Sequence, residues 1–571
     1  MKPVRLPASA TLALPRWALF ALALLYILPG VIGREPWKND DAASFGIIWT
    51  MAHGTWQDWL WPNIAGMSMP EEGPLVFWLG ALCVKLFGGL LGDVLAARIA
   101  TIGIFLLSAL SLWYTTFNLG RRPEAQPLKL AFGGQPEPDN FGRTLADAAL
   151  LIYLGCLGLL QHSHETTAEP LLTALLALTL YRSVRYMERP CLRNAALIGL
   201  ALGLMTLTRG WVPPAALLVA LFICTRFLAI PAVRALPHLL LSLAVAAVVT
   251  LPWLVPAALM QPYGQTPLPA WMAWNMSQLG LPNLRAVQTF LRDGVWFFWP
   301  AWPFALWAAY AWRRQSNLLH IVVPTTFVTI ASLLLLLHPA PDHAQLLMLI
   351  PPLAIMAAFG LLTVQRGAIN AIDWFSVMVL TLGAALLWIF WYAQLTGWPP
   401  KPAHNVLKLI PGYVPEVNWL ATIVAAGATL GWFLLVQWRV SRRPSVLWRA
   451  VVLSSGGVIL IWILLMTLFL PHTNYSKSYA AVARQAAAAL PADTNCVTSN
   501  AGPPQRASFA YFGKLPFSGV GQHGCNVLLW QEATRSSVRT NLPPGKWTVL
   551  WEGRRASDRS ERFRLLRRAP G

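Results

Sequence analysis

The chain has 571 residues, of which 56% are apolar, 11% aromatic and only 12% charged. Soluble domains spend about a quarter of their residues on charge. A mean hydropathy of +0.52 leaves too little polar surface to cover 62.9 kDa in water. Six cysteines are too few for a disulfide scaffold. Composition therefore excludes a soluble globular protein, a disordered chain and a collagen-like repeat, and it indicates a polytopic membrane protein.

The net charge of +20 has two sources. A basic total can point to nucleic acid. In residues 1–470, however, the basic excess lies in short loops between apolar runs, where Lys and Arg orient helices by staying on the cytoplasmic side. The sequence therefore predicts no nucleic-acid partner, and it predicts an orientation for the helices.

Thirteen apolar runs could cross the hydrocarbon core as helices. No small-residue cleavage site follows the first run, so we expect an uncleaved anchor rather than a secretory signal. The predicted fold class is an all-α polytopic membrane protein with about 13 transmembrane helices. The runs lie near residues 17–33, 95–118, 144–161, 168–186, 194–208, 211–230, 236–257, 295–312, 318–338, 344–364, 372–395, 418–438 and 449–470.

A further apolar run, 74–91, decides the topology. If it crossed the membrane, the basic loops that follow would fall outside. Because charge bias sets orientation, we expect this run to lie along the outer face or to re-enter it. Residues 34–94 then form an external loop with membrane-parallel segments, within a transmembrane domain of residues 1–470.

Residues 471–571 differ in character, with 14 basic and 5 acidic residues. A helix-like stretch at 478–490 precedes β-like runs around 494–499, 526–531, 547–551 and 562–567. This pattern predicts a small α/β domain on the periplasmic side. Cys496 and Cys525 flank its β-like runs, and in an oxidising compartment they are expected to form a disulfide; two free thiols are the alternative.

The first candidate site is the segment REPWKNDD at 34–41, directly after the first apolar run. Two adjacent carboxylates, Asp40 and Asp41, can bind a divalent cation or supply a general base. Lys38 adds a positive charge beside them. A hydrated start of a loop is the alternative interpretation.

Three further positions carry polar groups toward the same predicted face. Glu169 begins a helix, where capping alone could explain it, and the nearby His162 and His164 are a weak zinc pair because residues two apart do not share a helical face. Arg209 stands between two apolar runs, where a charge is costly unless it pairs or reaches water. Asp342 and His343 open a later helix, and a helix cap is the alternative there.

Motifs that are absent from the sequence also narrow the function. There is no GxxxxGK[ST] phosphate loop, no GxSxG elbow and no HExxH motif. ATP-driven transport and zinc proteolysis are therefore not expected.

Taken in order over about residues 1–470, several short motifs resemble the bacterial polyprenyl-phosphate-dependent C-type glycosyltransferases. Within that family, the likeness is to the 4-amino-4-deoxy-L-arabinose lipid A transferase and protein mannosyltransferase group. The matching segments are WKNDD at 37–41 for the family's W-x-x-D-E, MAHGTW at 51–56 for M-x-x-x-x-W, PLVFWL at 74–79 for P-L-x-Y-W-L, LTRG at 207–210 for L-T-K-G, and LPW at 251–253 for L-P-W.

The resemblance implies a cavity above a helical bundle, with the catalytic acid in the first external loop. Asp40 then takes the acidic position and Asp41 stands at the family's Glu. Arg209 replaces a family Lys and keeps its charge. Glu72 and Asp342, by contrast, stand where the lipid A enzymes have lysines, which changes the charge presented to donor and acceptor and disfavours aminoarabinose transfer.

The expected function is that of an integral membrane glycosyltransferase, which modifies lipid A, a glycan or a protein of the cell envelope with a sugar from a polyprenyl-phosphate donor. Asp40 and Asp41 are the expected catalytic residues. Substrate contacts are expected at Arg209, Glu169, Lys38, Glu72, Asp342 and His343. The resemblance commits to no cofactor, and Asp40 and Asp41 could hold a divalent cation. A lipid or solute transporter and a non-catalytic protein of the same fold are the alternatives.

Overall fold

The computed structural model describes residues 6–11, 15–131, 133–260, 267–315, 317–442, 446–519, 524–533, 542, 544–558 and 560–569. Helical structure occurs in each of the thirteen predicted runs. The helices up to residue 468 are α1 (Arg16–Ile27), α2 (Asp40–His53), α3 (Trp56–Leu60), α4 (Leu75–Leu91), α5 (Asp93–Gly120), α6 (Pro138–Leu154), α7 (Leu157–His162), α8 (Ala168–Glu188), α9 (Leu192–Thr208), α10 (Val212–Phe227), α11 (Ala232–Leu259), α12 (Pro267–Ser277), α13 (Leu284–Phe297), α14 (Ala301–Trp312), α15 (Leu319–Leu337), α16 (Ile350–Leu361), α17 (Arg366–Thr396), α18 (Pro400–Leu409), α19 (Trp419–Arg442) and α20 (Val446–Leu468).

Seven helices of the described chain are long and apolar enough to cross a membrane. They are α5, α11, α15, α17, α19, α20 and the helix His343–Leu361, which is α16 with the 3-10 turn before it. The protein is therefore a multi-pass membrane protein, as its composition predicts. The count of thirteen spans stays a prediction, because several other helices are shorter than the roughly 20 residues of a full crossing.

The centre of the bundle is formed by α5, which packs against α4, α6 and α8. At the periphery, α17 and α19 keep large apolar side chains exposed, among them Trp374, Phe375, Leu420 and Phe433. Exposed apolar surface on this scale would be costly in water and is stable against lipid. The contrast between the two regions separates the protein core from the lipid-facing surface.

The first loop contains more structure than its sequence predicts. It forms α2, α3 and a two-residue antiparallel pair, β1 (Asn63–Ile64) and β2 (Met67–Ser68), before α4 begins. Helix α4 lies against α2 at Gly80, where a Cβ atom would come within 2.6 Å of Ile48 Cδ1. The placement of α4 parallel to the membrane stays a prediction.

The C-terminal part contains a four-stranded sheet of order β3-β4-β6-β5. The strands β3 (Val497–Ser499) and β4 (Val527–Ala533) are parallel, whereas β6 (Glu561–Arg568) runs antiparallel to both β4 and β5 (Trp547–Gly553). Helices α21 (Leu470–Lys477), α22 (Ala480–Ala488) and α23 (Pro503–Gly513) accompany it. A disulfide joins Cys496 to Cys525, with Cα atoms 5.3 Å apart.

The C-terminal part packs directly on the first loop. Gly46 of α2 meets α23 so closely that a Cβ atom on it would lie 2.3 Å from Ala507 Cβ. Arg506 of α23 donates from Nε to the Ile64 carbonyl at 3.0 Å and from Nη2 to the Ala65 carbonyl at 2.6 Å. These contacts fix α2, which begins at Asp40.

Candidate active site

Charged side chains from the first loop, α5, the 161–169 turn and the α9–α10 junction meet at one end of the helical bundle. They form two groups. We call Arg34, Asp41, Arg98, His162 and Glu165 the paired cluster. We call Asp40, Glu72, Glu169 and Arg209 the open cluster.

The paired cluster is a buried ion-pair network centred on Asp41. One oxygen, Asp41 Oδ2, accepts from Arg34 Nη2 at 3.3 Å, from Arg98 Nη2 at 3.0 Å and from the Trp37 amide at 3.0 Å. The side chains of Arg34 and Arg98 are at most 3% exposed. Because buried charges are stable only when paired and hydrogen-bonded, this arrangement locks the loop segment that carries both aspartates.

Glu165 completes the paired cluster. Its Oε1 accepts from Arg34 Nη2 at 2.8 Å, and its Oε2 lies 3.1 Å from His162 Nδ1. Burial alone would raise the pKa of Glu165, but the His162 hydrogen bond and the Arg34 charge outweigh it and hold that pKa well below its usual range. Glu165 therefore carries a charge, and it raises the pKa of His162 against the opposing effect of burial.

Arg209 is the centre of the open cluster. Its Nη1 contacts Glu169 directly and lies 3.5 Å from Glu72 Oε1. The Arg209 side chain remains 21% exposed. Both contacts use Nη1. These two carboxylates therefore orient the guanidinium without contacting its Nε or Nη2 atom.

The backbone beside Arg209 is held tightly. Gly210 has φ +136°, and a Cβ atom there would lie 2.0 Å from Asn275 Oδ1, so only glycine fits. The same Asn275 oxygen accepts from the Trp211 amide at 3.0 Å. Helix α12 thus fixes the direction in which the Arg209 side chain leaves the chain.

Three carboxylates share this one arginine, and the pKa values of two of them, Glu72 and Asp40, reflect it. Burial, opposed by Arg209 and reinforced by Glu169, raises the pKa of Glu72 to about 7. Asp40 reaches solvent, yet the surrounding protein and the negative charges of Glu169 and Asp342 raise its pKa to about 6, against the lowering effect of Arg209. A carboxylate with a pKa near neutrality is suited to accept a proton during a reaction.

Two of the other candidate residues form ion pairs elsewhere. Lys38 Nζ lies 3.9 Å from Asp558 Oδ2 of the C-terminal part. His343 Nδ1 lies 3.2 Å from Asp293 Oδ2. Asp342 acts as a helix cap, since its Oδ1 accepts from the His343 amide at 2.7 Å, and it influences Asp40 through its charge alone.

The residues do not fit a resident metal ion. Within the described part of the chain, no three His, Cys, Asp or Glu side chains are grouped so that they could ligate one. Asp41 Oδ2 is already paired with two arginines. His162 and His164 also have separate partners, since His164 Nε2 lies 3.0 Å from the Tyr26 carbonyl.

An apolar cavity opens beside the open cluster, between α8, α10, α12 and α15. Glu169 and Arg209 line its charged end, and Val212, Leu334 and Met348 are among its apolar walls. A second apolar cavity lies further along α10 and α15, in the half of the bundle away from Arg209. Two apolar cavities therefore lie along the same pair of helices, and charged side chains line one end of the first.

Sequence reasoning missed the contribution of Arg98 to the site. The signal was present, because Arg98 lies six residues into the apolar helix α5, and a charge in such a position is a functional candidate by default. The contribution of Asn474, which bonds to the first loop, had no comparable signal, because a lone Asn in a polar junction is unremarkable.

No protein-family model and no curated protein matches this sequence. Solved structures do match its fold, and two of them are structures of ArnT. ArnT from Cupriavidus metallidurans bound to undecaprenyl phosphate has a TM-score of 0.66 and 15% identity, with 96% of this chain and 97% of that chain covered. The apo state of ArnT from the same organism gives the same TM-score and coverage at 17% identity. The chain therefore has the fold of the C-type glycosyltransferases, as its motifs predict.

Proposed function

We propose that this protein is a membrane glycosyltransferase that moves a sugar from a polyprenyl-phosphate donor to lipid A, a glycan or a protein at the periplasmic face of the inner membrane. One observation carries the proposal: the open cluster lies at the charged end of an apolar cavity. A lipid-phosphate sugar requires both surfaces together, one for its chain and one for its charged head.

We place the donor's lipid chain along α10 and α15. The cavity beside Arg209 has apolar walls, and a second, separate cavity on the same two helices is lined by Phe227 and Ile321. ArnT, which shares the fold, is known with undecaprenyl phosphate bound. The position of Arg209 at the charged end supports placing the phosphate there.

The reaction is displacement at the anomeric carbon. The acceptor oxygen forms a bond to that carbon while the bond to the phosphate oxygen breaks, and the lipid phosphate leaves with the electron pair. Asp40 takes the proton from the acceptor hydroxyl, a contribution worth about 10²–10⁴-fold in rate. Its raised pKa makes the carboxylate a better proton acceptor than an ordinary aspartate.

Arg209 stabilises the departing phosphate. Preformed positive charge is most effective where negative charge develops during the reaction. Glu169 and Glu72 orient the guanidinium through Nη1, and Nε and Nη2 provide donors for phosphate oxygens. Burial raises the pKa of Glu72, which limits the negative charge that the phosphate meets.

The test is label transfer from a radiolabelled polyprenyl-phosphate sugar to envelope lipids, glycans and proteins by the purified full-length chain. We expect a labelled acceptor and release of polyprenyl phosphate. Uptake of the label into vesicles without transfer would instead identify a transporter. Donor binding with neither transfer nor uptake would identify a non-catalytic protein of this fold.

The periplasmic position of the site is tested by cysteine labelling in intact cells. Arg121 and Lys401 are exposed and lie on opposite sides of the predicted topology. In a background with Cys191→Ser, a membrane-impermeant maleimide should label Lys401→Cys and spare Arg121→Cys until the cells are lysed. The reverse pattern would overturn the proposed orientation.

A further inference from the structure

The path of the chain just before Asp40 depends on contacts outside the first loop. Residues 33–39 are irregular, and Asn39 has a positive φ of 73° directly before α2 begins. Such a conformation costs energy for a residue with a side chain and persists only where the surroundings enforce it. The position of Asp40 therefore depends on what holds residues 33–38.

Asn474 of α21 holds this segment through both its amide nitrogen and its amide oxygen. Its Nδ2 donates to the Gly33 carbonyl at 2.9 Å. Its Oδ1 accepts from the Glu35 amide at 3.2 Å and from Trp37 Nε1 at 2.9 Å. One side chain from the C-terminal part thus spans both ends of the segment before the aspartates.

Two further contacts extend this hold. The Lys38 amide donates to the Lys477 carbonyl at 2.9 Å. The Trp37 ring contacts two cations, with Arg34 at 3.9 Å and Lys477 at 4.8 Å from its centroid. Because the Trp37 amide also donates to Asp41, the contact with α21 continues into the paired cluster.

The sheet of the C-terminal part fixes α21 from its other side. The Ser476 carbonyl accepts from Arg555 Nη1 at 2.9 Å and from Ser557 Oγ at 2.6 Å. Arg555 is in turn paired with the buried Glu561 at the start of β6. Helix α21 is therefore held between the sheet and the first loop.

We propose that Asn474 is a positioning residue for Asp40, and that the C-terminal part is a structural component of the active site. This inference rests on the proposed function for its kinetic consequence. Asn474 touches neither reacting atom; it sets the direction from which the chain enters α2. A small displacement of a catalytic group is enough to cost up to about 100-fold in rate.

The test compares Asn474→Asp and Asn474→Ala with the wild type in the full-length protein. The Asp variant keeps the acceptor for Glu35 and Trp37 and loses the donor to Gly33. The Ala variant loses all three bonds. We expect kcat to be lower in Asn474→Asp than in the wild type and lowest in Asn474→Ala, where the loss should be roughly tenfold or more. The donor KM should change less than twofold in both variants.

Asn500→Ala is the matched control. Asn500 also makes two hydrogen bonds through its amide, both to the Gln531 backbone inside the C-terminal part, so this variant should keep wild-type kcat. A wild-type kcat in Asn474→Ala would overturn the inference. An equal loss of kcat in Asn500→Ala would also overturn it, because general weakening of the C-terminal part would then be the cause.

Hydrogen exchange separates this inference from the proposed function. The Glu35 and Lys38 amides should exchange faster in Asn474→Ala than in the wild type or in Asn500→Ala, whether or not the protein transfers sugar. Faster exchange in a protein without transferase activity would reject the proposed function and keep the positioning contact. Unchanged exchange would reject the positioning contact itself.

Discussion

The paired cluster and the open cluster contain the same kinds of side chain, arginines and carboxylates, but differ in their balance. In the paired cluster, two buried arginines neutralise Asp41 and Glu165. In the open cluster, one arginine serves Glu72, Glu169 and the nearby Asp40. A balanced network stabilises structure, whereas an unbalanced one holds carboxylates whose pKa values approach neutrality.

This difference separates two adjacent residues. Asp41 is buried and accepts three hydrogen bonds on one oxygen. Asp40 reaches solvent. The sequence presents them as a pair of equivalent acids, yet Asp41 is held in the paired cluster whereas Asp40 is influenced by the charges of Glu169 and Arg209. We therefore assign the role of catalytic base to Asp40 and a structural role in holding the loop to Asp41.

The largest expected effect is that of Asp40→Asn on catalysis. The amide keeps the shape of the side chain but cannot accept the proton, so kcat should fall by about 10²–10⁴-fold with little change in the melting temperature. Label-transfer kinetics and thermal unfolding in detergent provide the two measurements. Asp41→Asn is the matched variant, and its main effect should be a lower melting temperature. Wild-type turnover in Asp40→Asn would remove its assigned role.

Arg98→Ala should cause the largest loss of stability. The substitution removes one of the two arginines that neutralise the buried Asp41. Breaking a buried ion pair in this way lowers the free energy of unfolding by about 3–5 kcal/mol. Arg209→Ala should cost less than half as much, because Glu72, whose pKa is already raised, can take up a proton when the arginine is lost. Equal losses of unfolding free energy in the two variants would contradict the distinction between the clusters.

Arg209 variants should affect the donor more than the fold. Removing a charged hydrogen-bond donor costs about 1.5–3 kcal/mol, so Arg209→Ala should raise the donor KM by roughly tenfold or more. Arg209→Lys keeps the positive charge and should raise it much less. Steady-state kinetics with the labelled donor measures both. An equal loss in both variants would indicate that geometry, rather than charge, is what matters at this position.

The sequence predicts the fold better than the site because the two depend on different information. Apolar runs are local, so the membrane helices could be located, and the alternating runs around β4, β5 and β6 could be located as well. Helix α23 was not predicted, because PPQRASFAYFG begins with two prolines and has no clear apolar stripe. Its packing on α2 depends on residues more than 400 positions away in the chain.

The site shows the same limit. Motifs in the sequence identify Asp40, Arg209 and Glu169 as candidates, but no motif states that Arg209 shares its charge with Glu72. The pairing of Arg98 with Asp41 likewise joins residues 57 positions apart. Long-range contacts of this kind decide which carboxylate is neutralised, and therefore which one is left to react.

The pH dependence of transfer tests the central claim most directly, because it reports the carboxylate that must be ionised. With a pKa of about 6, the fraction of Asp40 in the base form falls from about 90% at pH 7 to about 10% at pH 5. We expect kcat to fall roughly ninefold over that range. Glu72→Gln should keep the fall of kcat between pH 7 and pH 5. The same variant should remove any loss of donor affinity above pH 7, where Glu72 ionises. A kcat that is constant from pH 5 to 7, or that falls only near pH 4, would contradict the assignment of Asp40 as the base.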